Sequence, residues 1–346
     1  MLAGITFSTT VTSVAACAFD MVKPERSTID WIVDAETLVL ARPSAINGFS
    51  FSVVEVLFGG RASPPIPHLV DSVSRSRLAA KPSETVLFSR VEGGEWRRVA
   101  FVDEGFRKVL DVALENKEAW TFGMTKSRVA FVESLQDTTD PRIRKLVISE
   151  LDKVAYEDLK SFDLRIPEQE LLQQLWSRDG YPYQAITALL LGISGSGVAR
   201  DEINAYIERV NDWDSANNLG AFSAALIEVE GVKGVETLAA GMLTDPAQPT
   251  DKIEQIVMAL SVHHQLADPK LQSAIASVVA DLVTMRPDTA AVVARQFALR
   301  SDWSQAAVLE PVVRDRNIST MNDLMTVSVY LAKARDSTAS VKGESN

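Results

Sequence analysis

Two patterns of apolar residues divide the chain. Residues 28–125 carry short apolar runs rich in β-branched and aromatic side chains, at 38–41, 49–57, 85–91 and 95–102. Runs of this kind, separated by glycine and proline, predict β-strands. After Met124 the apolar residues recur every three or four positions, which predicts amphipathic helices. The chain is therefore expected to be mostly α-helical, with a small β unit preceding the helices.

The β unit is predicted to hold about five strands, a number that suits a small barrel or sandwich. Gly93-Gly94 separates the last two apolar runs, and this spacing predicts a hairpin. Residues 29–35 are expected to form a short helix before the first strand. The segment 61–82 contains several prolines and little periodicity, so it is expected to be a long surface connection.

The clearest helix signal starts at Asp140-Pro141, an N-cap residue followed by proline at the first helical position. Ile143, Val147 and Leu151 then share one face. Further helices are predicted at 168–176, 183–193, 200–210, 220–228, 232–243, 250–266, 269–283, 289–299, 305–314 and 321–335. Because one helix pair cannot bury its apolar stripe alone, many short helices joined by short loops predict an α-solenoid.

The helical part resembles HEAT repeats, since Asp-Pro opens several helices and paired helices take roughly 40 residues per unit. Within that class, the segments DPRIRKLVISELDKVAYEDL and ITALLLGISG resemble a group of exported bacterial HEAT-like proteins. The β unit, with LVLAR, FSVVEVLFGG and VLFSR in order, is similar to the OB-like barrel of netrin-type modules and tissue inhibitors of metalloproteinases.

Together these resemblances imply a multidomain, mostly α architecture. A leader at 1–19 would precede an OB-like β-barrel or sandwich at 20–125. A HEAT-like α-solenoid, an αα-superhelix, would then occupy 126–336, and a disordered tail 337–346.

The formal net charge of −11 opposes a nucleic-acid role, because phosphate backbones are repelled. Residues 20–125 carry about −2 and residues 126–346 about −9. The acidic helical part therefore favours a protein or peptide partner that is basic. After the N-terminal segment, no uncharged apolar run reaches the length of about 18 residues that predicts a membrane-spanning helix.

The first 19 residues carry no charged side chain before the polar stretch that starts at Asp20. Val14, Ala15 and Ala16 precede Cys17, the single cysteine, and small residues that end an apolar run resemble a secretory cleavage region. Their order also resembles the lipobox of bacterial lipoproteins, in which the cysteine is lipidated and becomes the first mature residue. An edge strand with a buried free cysteine is the alternative. Membrane association is expected only through a lipid on Cys17.

Catalytic and metal-binding motifs are not expected. His263 and His264 are adjacent, so on a helix they point about 100° apart and cannot share an ion. The chain contains no HExxH and no CxxC, and the GISGSG segment follows a predicted helix and lacks the lysine of a phosphate-binding loop. The sequence therefore predicts no catalytic residue, no metal ligand and no cofactor.

Basic and aromatic residues alternate at the end of the β unit, in Arg90, Trp96, Arg97 and Arg98. OB-type barrels bind ligands through such patches. Alternation along a strand places Trp96 and Arg97 on opposite faces, however. We therefore expect Trp96 in the core and the arginines in solvent.

Five aromatic residues stand at predicted helix joints, where solenoids often present a binding edge: Trp176, Tyr181, Tyr183, Trp213 and Trp303. They either fill the gaps between helix pairs or anchor a protein partner. On this basis we expect a non-catalytic binding or scaffold protein of the bacterial cell envelope, in the periplasm or anchored as a lipoprotein. The alternatives are a cytoplasmic HEAT-like adaptor, or an inhibitor-like module that chelates a metalloprotease's metal through a free N-terminal Cys17.

Overall fold

A computed structural model describes residue 19 and residues 26–60, 65–211 and 217–344. The chain divides into two compact units. The sheet unit is Glu25–Glu150, and the helical unit is Leu151–Asn346 together with Met1–Pro24. Within the described ranges there are seventeen α-helices and one four-stranded antiparallel sheet. The mostly helical class, with a small β unit first, is therefore confirmed.

In the sheet unit the four strands come in two consecutive pairs, with a helix before, between and after the pairs. Its elements are α1 Thr28–Val33, β1 Ala35–Pro43, β2 Phe51–Phe58, α2 Ser72–Ala80, β3 Thr85–Val91, β4 Trp96–Val102, α3 Glu104–Glu115, α4 Lys117–Trp120, α5 Lys126–Ser134 and α6 Pro141–Leu151, whose last residue opens the helical unit. The short helix before the first strand and the hairpin of β3 and β4 were both predicted correctly.

The sheet is open, with strand order β2-β1-β3-β4 and antiparallel pairing throughout. The expected closed barrel or sandwich of about five strands is therefore not what the described residues form. One reason is that the segment 61–82, which was predicted to be a surface connection, contains helix α2 and adds no strand to the sheet. Asp71 caps this helix by accepting a hydrogen bond from the Ser74 backbone N–H at 2.7 Å, and Leu78 buries it against the sheet core.

The core of the sheet unit forms on the face that the sequence alternation selects. Val39, Val86 and Phe88 are fully buried there, and the rings of Phe51 and Phe88 lie 4.9 Å apart in an edge-on arrangement. Trp96 belongs to the same core. The predicted alternation in β4 is thus confirmed for Trp96 and its exposed neighbour Arg97.

A buried ionic cluster explains why the sheet unit extends beyond the change of pattern at Met124. Arg128 on α5 pairs with Glu150 on α6 through two contacts of 2.7 and 3.0 Å, and with Asp30 on α1 at 2.7 Å. Ser27 donates a hydrogen bond to Glu150 as well. Because breaking a buried ion pair is costly, this cluster holds α5 and α6 to the first helix of the unit.

The helical unit contains eleven α-helices within its described residues, all but the last of 5 to 17 residues. They are α7 Tyr156–Lys160, α8 Glu168–Leu175, α9 Gln184–Ser194, α10 Gly197–Asn211, α11 Leu219–Glu230, α12 Val232–Leu238, α13 Thr250–Leu266, α14 Pro269–Met285, α15 Ala290–Ala298, α16 Ala306–Arg314 and α17 Met321–Glu344. Helix α17 continues into the predicted tail, since no proline or glycine interrupts residues 337–342. The segment predicted as a tail, 337–346, is therefore helical as far as residue 344.

The helices of this unit pack in two rows. One row is α9, α11, α13, α15 and α17, each in contact with the next, and the other is α12, α14 and α16. Contacts of α11 with α12, α13 with α14 and α16 with α17 join the two rows. Nine consecutive residues of α11, from 219 to 227, are buried, so this helix has neighbours on every side.

Candidate functional site

The residues proposed for partner contact differ in their surroundings. Trp176 and Tyr181 are about half exposed, and Trp303 is partly buried. Tyr183 is buried, and its backbone carbonyl accepts a hydrogen bond from the Thr187 hydroxyl inside α9. Tyr183 is therefore a core residue, which corrects its assignment as a surface anchor. Cys17 and Trp213 lie outside the described residues.

Trp176 stands on an aromatic stack at the C-terminal end of α8. Its ring lies 5.9 Å from that of Tyr206 and 6.0 Å from that of Phe222, both nearly parallel to it. The indole N–H donates to Glu202 at 2.8 Å, and the Arg209 guanidinium lies 5.4 Å from the ring centroid. The packing fixes the orientation of Trp176 and leaves part of its surface accessible.

Trp303 has a different role, as a wall of an apolar groove in the helical unit. The groove has a volume of about 450 Å³ and is lined by Ala294, Arg295, Ala298, Leu299, Trp303, Met325, Thr326, Val329 and Tyr330. The rings of Trp303 and Tyr330 lie 5.1 Å apart. The Tyr330 hydroxyl donates to the Asp302 carbonyl at 2.7 Å and accepts from the Gln305 backbone N–H at 3.1 Å, so it holds the loop that carries Trp303.

The open side of the groove is an apolar stripe on α17. Met321, Met325 and Val329 are spaced four residues apart and are 74%, 63% and 55% exposed. Leu299, after α15, is also exposed beside them. The same helix buries Val327, Tyr330, Leu331 and Ala334, so it carries one apolar face toward the core and another toward solvent.

The sequence analysis did not identify this stripe. The signal was available, because α17 has more apolar positions than one buried face needs. Their spacing assigns Met325 and Val329 to the face opposite the buried one.

A polar network lies in the interior of the helical unit. The Tyr156 hydroxyl donates to Glu228 at 2.8 Å, and Lys160 pairs with the same carboxylate at 3.1 Å. His263 Nε2 lies 2.9 Å from the Ala224 carbonyl, so this nitrogen carries the hydrogen. The network joins α7, α11 and α13. Burial lowers the pKa of His263 to about 4, which keeps the ring neutral despite the nearby Glu228.

Among the residues that the structure describes, no group of three or more histidine, cysteine or acidic side chains is arranged to hold a metal ion. Among the helices of residue ranges 26–60, 65–211 and 217–344, none combines the length and apolar content needed to cross a membrane.

Comparison with known proteins leaves the site to be interpreted on its own geometry. No protein-family model, curated protein or solved structure matches this chain.

The neutral His263 makes the stability of the fold depend on pH in a defined window. In the unfolded chain this histidine takes up a proton below a pH of about 6.5, whereas in the fold it does so only near pH 4. The unfolded state therefore binds more protons between these values. We expect the free energy of unfolding to fall by up to about 3 kcal/mol as the pH is lowered through that window.

Urea unfolding between pH 7.5 and 4.5 measures this fall. His263→Gln retains an N–H donor for the Ala224 carbonyl and removes the titrating group, so it should flatten the profile. The carboxylates titrate alike in both proteins. Equal pH dependence in the two would contradict the assignment.

Proposed function

We propose that this protein is a non-catalytic binding protein, and that its helical unit docks a protein or peptide segment in the apolar groove. The exposure of Leu299, Met325 and Val329 along this groove is the observation that carries the proposal. Exposed apolar surface that is contiguous and groove-shaped is typical of interaction sites.

The preferred occupant is an amphipathic helix. The exposed apolar residues of α17 recur every four positions, so they match the stripe of a second helix laid alongside. Met321 and Met325 contribute flexible thioether side chains, which adapt to irregular apolar partners. Trp303 supplies a rigid aromatic wall of the kind that often dominates binding energy.

The charge of the helical unit favours a basic partner. Residues 151–346 carry −10 of the formal net charge of −11. Such an excess attracts a cationic segment and repels an acidic one, mainly through the rate of association. We therefore propose a basic amphipathic helix as the ligand class, with Trp176 and Tyr181 as a second contact region for the same partner.

The two-row packing of the helices supports a HEAT-like solenoid, in which each helix pair contacts only its neighbours. The likeness of the sheet unit to OB-type modules rests on the sequence order of its short helix and strands, and it stays a proposal.

For location we propose the cell envelope, with cleavage or lipidation at Cys17. A cytoplasmic adaptor is the alternative, and inhibition of a metalloprotease through a free Cys17 amine is the third. Intact mass of the protein from its native host distinguishes export from the adaptor, and an acyl group on Cys17 would also exclude the inhibitor. Export predicts a chain that starts at Cys17, with added acyl mass if it is lipidated. A chain that still begins at Met1 would contradict export and favour the adaptor.

Val329→Glu tests the groove itself, because it places a carboxylate on the apolar wall. The probe is a fluorescent amphipathic helical peptide with leucine on one face and lysine on the other. Fluorescence anisotropy should show saturable binding to the wild type. We expect Val329→Glu to weaken that binding by at least about tenfold, which corresponds to about 1.4 kcal/mol.

Two controls accompany this measurement. Val73→Glu makes the same substitution at an exposed position of α2 in the sheet unit, which does not line the groove, and it should leave the binding unchanged. A peptide with glutamate in place of every lysine should bind more weakly. Equal affinity for wild type and Val329→Glu would refute the groove as the docking site.

A further inference from the structure

A second concave site lies in the sheet unit, at the end of the β3–β4 hairpin. It is a cleft of about 740 Å³, within the size range of small-molecule sites. Its lining includes Trp31, His68, Arg90, Glu95, Trp96 and Arg97. Because β4 is an edge strand of the described sheet, side chains from both of its faces reach this edge.

Arginine and tryptophan side chains pair along the cleft. Arg90 and Trp96 are directly opposite each other in the β3–β4 register, and the guanidinium lies 5.6 Å from the indole ring centroid. Arg97 lies 5.5 Å from the ring centroid of Trp31. Stacking on an aromatic face orders a guanidinium while its N–H edge stays available to an acceptor.

Several donors in the cleft lack an acceptor. The Nε of Arg90 and the Nε1 of Trp96 are both buried without a hydrogen-bond partner in the described structure, although Trp96 is only 6% exposed. Nor does Arg97 have an acidic side chain within 4 Å among the described residues. A buried donor without an acceptor costs about 1–3 kcal/mol, a cost that an acceptor reaching that donor would remove.

The other polar groups of the cleft leave its lining with a net positive charge. His68 Nε2 lies 2.7 Å from the Trp96 carbonyl, so it carries the hydrogen and donates it there. One terminal nitrogen of Arg90 lies 3.5 Å from the Glu36 carboxylate and 3.4 Å from the Thr37 hydroxyl. Glu95 is the one acid among the lining residues, against two arginines, so the described cleft is cationic within an acidic protein.

We propose that this cleft binds a small molecule with an oxyanion group and a flat apolar body. The oxyanion accepts hydrogen bonds from Arg90 and Arg97, since planar guanidinium groups match carboxylate and phosphate oxygens. The body packs against Trp31, which is partly exposed, and against the accessible edge of Trp96. This site is independent of the apolar groove, because its residues all belong to the sheet unit.

The indole N–H of Trp96 gives a direct reading of ligand binding by ¹H–¹⁵N NMR of the full chain, with Trp96→Phe assigning the resonance. The probes are benzoate and inorganic phosphate, compared with neutral benzamide and with sodium chloride at equal ionic strength. We expect benzoate or phosphate to shift this resonance saturably, in the millimolar range usual for ligands of this size. The tighter of the two identifies the head group as carboxylate or phosphate.

Arg90→Gln and Arg97→Gln should each weaken the binding at least about tenfold, since a hydrogen bond to a charged group is lost. Arg98→Gln is the matched control. Arg98 follows Arg97 on β4 but pairs with Asp71 at 2.5 Å and does not line the cleft, so its variant should bind normally.

Three results would overturn the proposal. They are the absence of any saturable shift, an equal response to benzamide, and an equal loss of binding in Arg98→Gln. Binding of a single-stranded oligonucleotide in place of both small anions would overturn it too.

Discussion

Helix α11 is apolar around its whole circumference, so it needs neighbouring helices on all sides. The packing of the helices around it in the helical unit meets that need. Its residues 219–227 are buried in succession, which is sustainable only where other helices cover the whole circumference. Gly192 of α9 permits one of these close contacts. A Cβ at that position would lie 2.7 Å from the Ala225 Cα, so the two backbones approach more closely than larger residues allow.

The same requirement explains where the unit exposes apolar surface. Helices α11, α13 and α15 each contact a helix before and after them in the row. In repeat arrays the terminal element usually has a polar outer face. Helix α17 ends the described row, yet its outer face carries Met321, Met325 and Val329. An end that retains the apolar pattern of an interior helix is suited to accept one more helix from a partner.

Local patterns in the sequence predicted the positions of helices and strands better than the way in which they pack together. Alternation in β4 placed Trp96 correctly, and the Asp140-Pro141 signal placed the start of α6. Closure of the sheet depends on which strands meet at its edges, which no local pattern encodes. Helix α2 was missed because its cap, Asp71, stands within a proline-containing segment that contains little apolar periodicity.

The candidate sites were predictable only in part, for a related reason. Aromatic residues at helix joints led to Trp303 and Trp176, whereas Tyr183 has the same sequence context and is buried. The exposure of each aromatic side chain depends on which helix packs against it. The amino-acid sequence around it therefore cannot tell an exposed ring from a buried one. The cleft of the sheet unit required the β3–β4 register, which sets Arg90 opposite Trp96, and the position of Trp31 from a separate helix.

Hydrogen–deuterium exchange with and without the leucine–lysine peptide tests most directly whether the outer face of α17 is a docking surface. Protected amides report where backbone opening is suppressed. We expect slower exchange on peptide addition in α15 and in the first half of α17, with α8 and α10 changed less. Protection confined to other elements, or no change in α17 at a saturating peptide concentration, would contradict this expectation.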